Sequence, residues 1–222
     1  MIYWGDETGI DNCSNYERGF APKGQPPVLP VETKRERLNM LSALSRQGGV
    51  RFMLYEDSMN QQRLIQFMDR MVRTSNRKVF LILDNLKVHH GKKVAAWLDR
   101  HRDKIELFFL PPYAPESNPD EYLNHALKLS VHSGDLPRTK YDIRHKTASF
   151  IRTLQHSPDK VSTFFHHNQI SYILGHRSVD PLGNIGYIEM EINPVDILFR
   201  DNQRGMAAFS YMSRKQIERR RL

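Results

Sequence analysis

The sequence predicts an α/β fold around a mixed sheet, antiparallel at its start and parallel later. Three observations carry this. Two β-favouring runs, residues 38–44 and 50–55, flank Gly48-Gly49 and read as a hairpin. The period then lengthens, because Leu64, Ile65, Phe67, Met68, Met71 and Val72 recur at helical spacing. Beyond them, residues 79–83 are a continuous apolar run, and residues 105–110 read as another strand after a further helical stretch. Runs without polar alternation suit strands covered on both faces, and strand–helix–strand order favours parallel pairing.

Taken in order, Ile2-Tyr3-Trp4 is a short strand that ends at Gly5-Asp6-Glu7. A chain that begins inside a strand reads as cut at its front. Residues 11–36 are loop-like, with Pro22, Gly24, Pro26, Pro27 and Pro30, and they lead into the charge run Lys34-Arg35-Glu36-Arg37. After the hairpin, Asn60 is the expected N-cap of the first helix. Val94, Ala95, Trp97 and Leu98 mark a second helix, with Trp97 in the core. Pro111-Pro112-Tyr113-Ala114-Pro115 fits neither helix nor central strand, and is read as a rigid connector into a helix that starts at Ser117-Asn118-Pro119-Asp120-Glu121. Helical patterns continue over 122–131, 140–154 and 159–165, with Phe164 and Phe165 as core. From Gly175 the composition shifts, and Gly175, Pro181, Gly183, Gly186 and Pro194 interrupt any long element. Residues 185–192 alternate like a strand, and residues 215–221 form a basic end. The expected division is a domain over 1–174 and an appendage over 175–222.

Composition bounds the function. The 222 residues include 39% hydrophobic and 26% charged side chains, enough for a core without staples. Cys13 is the only cysteine, which excludes a disulfide scaffold and points to a reducing, intracellular setting. No apolar run approaches the ~18–20 residues of a membrane span. Asp6 interrupts the N-terminus too early for a signal peptide. A net charge of +8 suggests an anionic partner, of which nucleic acid is the commonest.

Three acids are placed for chemistry. Asp6 follows the first strand, Asp84 follows the most apolar strand, and Glu121 lies in the first turn of a helix. If the two strands are neighbours, their acids end side by side and the helix brings Glu121 across. Gathered carboxylates repel one another unless cations join them, and hard oxygen ligands suit Mg²⁺ or Mn²⁺. Two such ions about 3.5–4 Å apart support phosphodiester cleavage. Plainer explanations stand beside this one. Asp6 and Asp84 could be ordinary strand-to-turn residues. Asn118, Pro119 and Glu121 fit an N-cap, a first-turn proline and the glutamate of a capping box.

The words around these acids are more specific. "GDETGI", "RLNMLSALSRQGG", "LILDNLKVHHGKKVAAWL" and "IELFFLPPYAPESNPDEYLNHALK" resemble the catalytic domain of bacterial insertion-sequence transposases related to the mariner elements. The resemblance runs from about Ile2 to Ser171, and Asp6, Asp84 and Glu121 fall where that family keeps its Asp-Asp-Glu triad. It implies a ribonuclease H-like fold, a mixed five-stranded sheet flanked by helices. It also implies Mg²⁺ dependence with Mn²⁺ as substitute, cleavage at element ends, and strand transfer into target DNA. A cytoplasmic, nucleoid-associated setting and a homodimer belong to the same picture. The family's N-terminal helix-turn-helix region is not in this chain. The expectation is that it lies on a separate polypeptide, or that the chain is a catalytically inactive, basic DNA-binding remnant. The chain also departs from the family at Asp120, where an apolar residue is usual; its side chain is expected to point away from the site, toward the helix N-terminus.

Other features are weaker. His89 and His90 follow Asp84 closely and, with Lys92, are candidate DNA contacts, although a structural or hydrogen-bonding role for the histidines is favoured. Zinc binding by His89, His90 and His101 is disfavoured, because no cysteine partner or recurrent ligand spacing accompanies them. Arg138, Lys140, Arg144, Lys146 and Arg152 form a basic run that reads equally as a solvated helix face or as a phosphate-contacting one.

Overall fold

The computed structural model describes residues 1–13, 20–26, 34–110, 117–167, 170, 177–179 and 185–187. Its centre is a five-stranded sheet of β1 (Ile2–Asp11), β2 (Arg37–Leu44), β3 (Val50–Tyr55), β4 (Val79–Leu83) and β5 (Ile105–Phe109), in the order β3-β2-β1-β4-β5. The first three strands pair antiparallel; β4 lies parallel to β1, and β5 parallel to β4. The β2–β3 turn is the expected one: Gly48 takes a positive φ of 85°, and Ser45 and Gly49 close the hairpin through a 2.8 Å backbone bond.

Among the described residues, five α-helices flank the sheet: α1 (Gln61–Arg73), α2 (Lys92–Arg100), α3 (Pro119–His132), α4 (Lys140–Gln155) and α5 (Pro158–Thr163). On one face, Leu64, Phe67, Met68 and Met71 of α1 and Val94 and Trp97 of α2 pack on Tyr3, Leu41, Met53 and Leu81. On the other, Leu123 and Leu127 of α3 and Ile143 and Ile151 of α4 pack on Trp4, Met40 and Ile82. Phe165 closes this second layer edge-on to Trp4, with ring centroids 5.3 Å apart. Successive residues of β4 thus feed opposite layers, which explains its unbroken apolar run. Asn60 caps α1 as expected, its side chain accepting from the Arg63 backbone N–H at 3.0 Å.

The first strand differs from its expectation. It does not stop at Gly5-Asp6-Glu7 but runs ten residues to Asp11. Antiparallel pairing with β2 continues from Trp4↔Leu44 to Asp11↔Arg37 and supplies the backbone partners that the local sequence hides. Only the parallel pairing with β4 ends early, at Trp4↔Ile82.

Near the C-terminus, β6 (Arg177–Val179) and β7 (Ile185–Tyr187) pair antiparallel with each other as a separate two-stranded sheet. The strand expected over 185–192 is described only as far as Tyr187. The proline-rich connector at 111–116 and the basic end lie outside the described residues. Among the described residues, no helix is long and apolar enough to cross a membrane.

Candidate active site

The site begins where the parallel ladder stops. Ile2↔Phe80 and Trp4↔Ile82 fix the register of β1 on β4, and carried two residues further it sets Asp6 beside Asp84. Just before this point the strands are in close contact: a Cβ on Gly5 would meet Leu83 Cδ2 and the Ser42 carbonyl oxygen, each at 2.8 Å. The parallel pairing of β1 with β4 goes no further than Trp4↔Ile82, while β1 stays paired with β2 to Asp11.

Helix α3 is pinned to β1 and β2 by its first turns. Asn118 Nδ2 donates to the Gly5 carbonyl at 3.0 Å, and Asn118 Oδ1 accepts from the Asp120 backbone N–H at 3.1 Å. Ser42 Oγ donates to Asp120 Oδ1 at 2.6 Å. One turn on, Asn124 Nδ2 donates to Asp6 Oδ2 at 2.8 Å. Glu121 is exposed at the rim. The N-cap amide serves Asp120 here, while the full reciprocal capping box forms at α4, between Thr139 and Asp142.

Asp120 does not point away as expected. It is fully buried against β2, with Asp6 and Glu121 acting on it electrostatically. The Ser42 hydroxyl opposite Asp6 in the sheet register gives it a partner inside the protein, so the helix N-terminus does not draw it outward.

The electrostatics tie the acids together. Burial, then the charge of Glu121, then those of Asp84 and Glu7 push the Asp6 carboxyl up to about 7. Asp84 is raised chiefly by burial, with Glu7 and Glu121 adding and His89 opposing. Asp120 is raised well above the usual carboxylate range, by burial first and by Asp6 next. Asp6, Asp84 and Glu121 are thus brought within electrostatic reach of one another. Among the described residues, no three His, Cys, Asp or Glu side chains close tightly enough to hold a single ion.

His89 is buried in the short 3₁₀ turn Lys87–His90. Its Nε2 lies 3.0 Å from Glu7 Oε1, and its Nδ1 lies 3.0 Å from the Asp84 carbonyl oxygen. His90 Nε2 lies 2.6 Å from Asn85 Oδ1, and its ring packs on Phe109. Lys92 is exposed at the start of α2. Lys140 and Arg144 do not project freely from α4: both reach Glu56, at 3.0 and 3.2 Å. Arg138 is exposed, and its backbone N–H donates to Asp142.

Three residues of the site stand outside the sequence expectation: Glu7, Ser42 and Asn124. Glu7 has the surroundings of a turn residue, between Gly5 and Gly9, and only the extended β1 makes it part of the sheet. The spacing of Asn124 from Glu121, three positions along a helix, is the available signal, since it puts both on one face.

A mixed sheet in this strand order, flanked by helices on both faces, is a ribonuclease H-like domain. Its sequence identifies the family: the DDE superfamily endonuclease family matches residues 1–144, and the chain belongs to it. Solved structures share the fold. The Mos1 strand transfer complex superposes with a TM-score of 0.56 at 16% identity, over 77% of this chain and 53% of that one. The Mos1 mariner paired end complex with Mn gives 0.54 at 17%, over 74% and 53%. The catalytic domain of Mos1 mariner transposase gives 0.50 at 15%, over 77% and 80%. The chain therefore spans about half the length of the first two. No curated protein matches it.

Proposed function

We propose that this chain is the catalytic domain of an insertion-sequence transposase, occupying residues 1–174, that cleaves element ends and joins the freed 3′ hydroxyl to target DNA. The observation that carries this is that Glu121 acts electrostatically on both Asp6 and Asp84, just past the last residue pair of the β1–β4 ladder. The family match gives that set its chemistry, and the Mos1 complexes solved with Mg and with Mn are consistent with divalent ions in such sites.

The donor set fits a hard cation. It is all oxygen, and Asp6 is pushed up to about 7 by burial first and by the negative charges of Glu121, Asp84 and Glu7 next, charges that an added cation would offset. Asp6, Asp84 and Glu121 would hold Mg²⁺, with Mn²⁺ as substitute. Such ions supply a water made nucleophilic at neutral pH and charge compensation at a phosphodiester. The rest falls to this chain's own residues. Asn124 fixes one oxygen of Asp6, and Asn118 locks α3 to β1, so Glu121 is presented from a rigid helix. The chain's net charge of +8 draws DNA to it, with Arg138, Lys140, Arg144, Lys92 and His90 as the candidate contacts; His89, buried with both ring nitrogens engaged, is not one of them. Hydrolysis at the element end frees a 3′ hydroxyl, whose oxygen then attacks a target phosphodiester and displaces one target 3′ oxygen. Recognition of the terminal repeats is assigned to a helix-turn-helix region, and the working unit to a homodimer.

Nicking of supercoiled plasmid by the purified chain tests this. Activity should require Mg²⁺ or Mn²⁺, stop with EDTA, and disappear in Asp84→Ala. DNA binding without any metal-dependent nicking would instead make the chain an inactive remnant.

A further inference from the structure

Glu7 lies outside the chemistry above. It follows Asp6 directly in β1, so its side chain leaves the opposite face of the sheet. There it lines an open cleft of about 540 Å³ that also reaches Asp84, Tyr55 and Asp57. Its side chain meets the site through His89. The His89 ring is 2% exposed and lies nearly parallel to Phe109, at 12° with centroids 6.3 Å apart. Nε2 meets Glu7 Oε1 at 3.0 Å. On the other edge, Nδ1 meets both the Asp84 carbonyl oxygen, at 3.0 Å, and Asp84 Oδ1, at 3.3 Å. The imidazole therefore grips the main chain and the side chain of Asp84 at once, and Glu7 holds its far edge.

Asp84 needs such a grip. It sits just past the end of β4, and its side chain is 40% exposed. A carboxylate on a loop has several rotamers open to it, and ordering it at the moment of cation binding costs affinity. Groups behind a metal ligand commonly set its orientation, and losing one typically costs 10–100-fold in metal affinity.

We propose that His89 is a positioning residue for Asp84 and that Glu7 is its anchor, a relay from the far face of β1 that presents the Asp84 carboxylate to Asp6 and Glu121. The relay rests on the proposed role of Asp84 as a cation ligand.

Calorimetric titration of the full chain with Mn²⁺ alone, without DNA, tests it. The wild type should bind, and Asp84→Asn should abolish binding. Glu7→Gln and His89→Asn should each weaken Mn²⁺ binding by about 10–100-fold. Because both act through one relay, the double variant should be no weaker than the worse single one. Asp57→Asn, on the same cleft but bonded to Arg63 instead, should leave affinity unchanged. Glu7→Gln is nearly isosteric and leaves the buried ring in place, so it carries the test alone if His89→Asn does not fold. Wild-type affinity in Glu7→Gln, with binding lost in Asp84→Asn, overturns the relay and spares the cation site. Binding unaffected by Asp84→Asn overturns the site itself, and the relay with it.

Discussion

Asp6 carries a consequence that reaches beyond catalysis. Its carboxyl titrates near 7 in the fold against an ordinary value of 3.8, so between those values the native state holds a proton that the unfolded chain has released. Stability must then fall as pH rises through that window, and the raised carboxyl of Asp120 acts in the same direction. In EDTA the protein should melt at a higher temperature at pH 5 than at pH 8, and Asp6→Asn should shrink the difference by raising the pH 8 value. Calorimetry at the two pH values checks this; equal differences in wild type and variant would contradict it. Ser42 gives a second residue-scale expectation. Its hydroxyl is the donor to a buried carboxyl whose other oxygen, Asp120 Oδ2, has no hydrogen-bond partner among the described residues. Ser42→Ala should cost about 1–3 kcal/mol in urea denaturation. Combined with Asp120→Asn, the loss should not be additive, because the two side chains share one interaction. None of this is legible in the sequence. An acid at a helix N-terminus is normally solvated and favourable there; the burial of Asp120 arises from a serine 78 positions away.

At the scale of elements, the strands and helices are legible because their apolar periods are clear and their punctuation is conventional. Gly48-Gly49 marks the hairpin, Asn60 caps α1, and Pro119 opens α3. The length of β1 is not legible. Gly5-Asp6-Glu7-Thr8-Gly9 has the composition of a turn, and only pairing with β2 makes it strand. The basic face of α4 shows in the sequence as a run of cations, but its partner does not. Glu56, just past β3, holds Lys140 and Arg144. These pairs are exposed and contribute little stability, so DNA phosphates can compete for the same cations. Glu56→Gln should strengthen nonspecific duplex binding and steepen its salt dependence. Lys140→Ala with Arg144→Ala should flatten it, by about 0.9 log units of affinity per log unit of salt for each phosphate no longer neutralised. Fluorescence anisotropy across a salt series measures both, and binding indifferent to salt would contradict the expectation.

Across the whole molecule, the described residues of both core layers end at Ile170, and the main sheet draws all five strands from residues before 110. The β6–β7 pair bonds to itself and not to that sheet. A chain ending at Leu174 should therefore keep its melting transition and any Mg²⁺-dependent nicking, with at most weaker DNA binding; loss of the transition would make the tail part of the fold. The three acids stand out in the sequence because two of them end apolar runs and the third opens a helix. Their proposed convergence on one cation depends on β1 and β4 being neighbours, which a strand order and not a local pattern decides. The most direct measurement of that convergence is anomalous scattering from a crystal soaked in Mn²⁺. Density bounded by Asp6, Asp84 and Glu121 is expected, with Asp120 buried beside Ser42 and not a ligand. Density elsewhere, or a site that forms without Glu121, would contradict it.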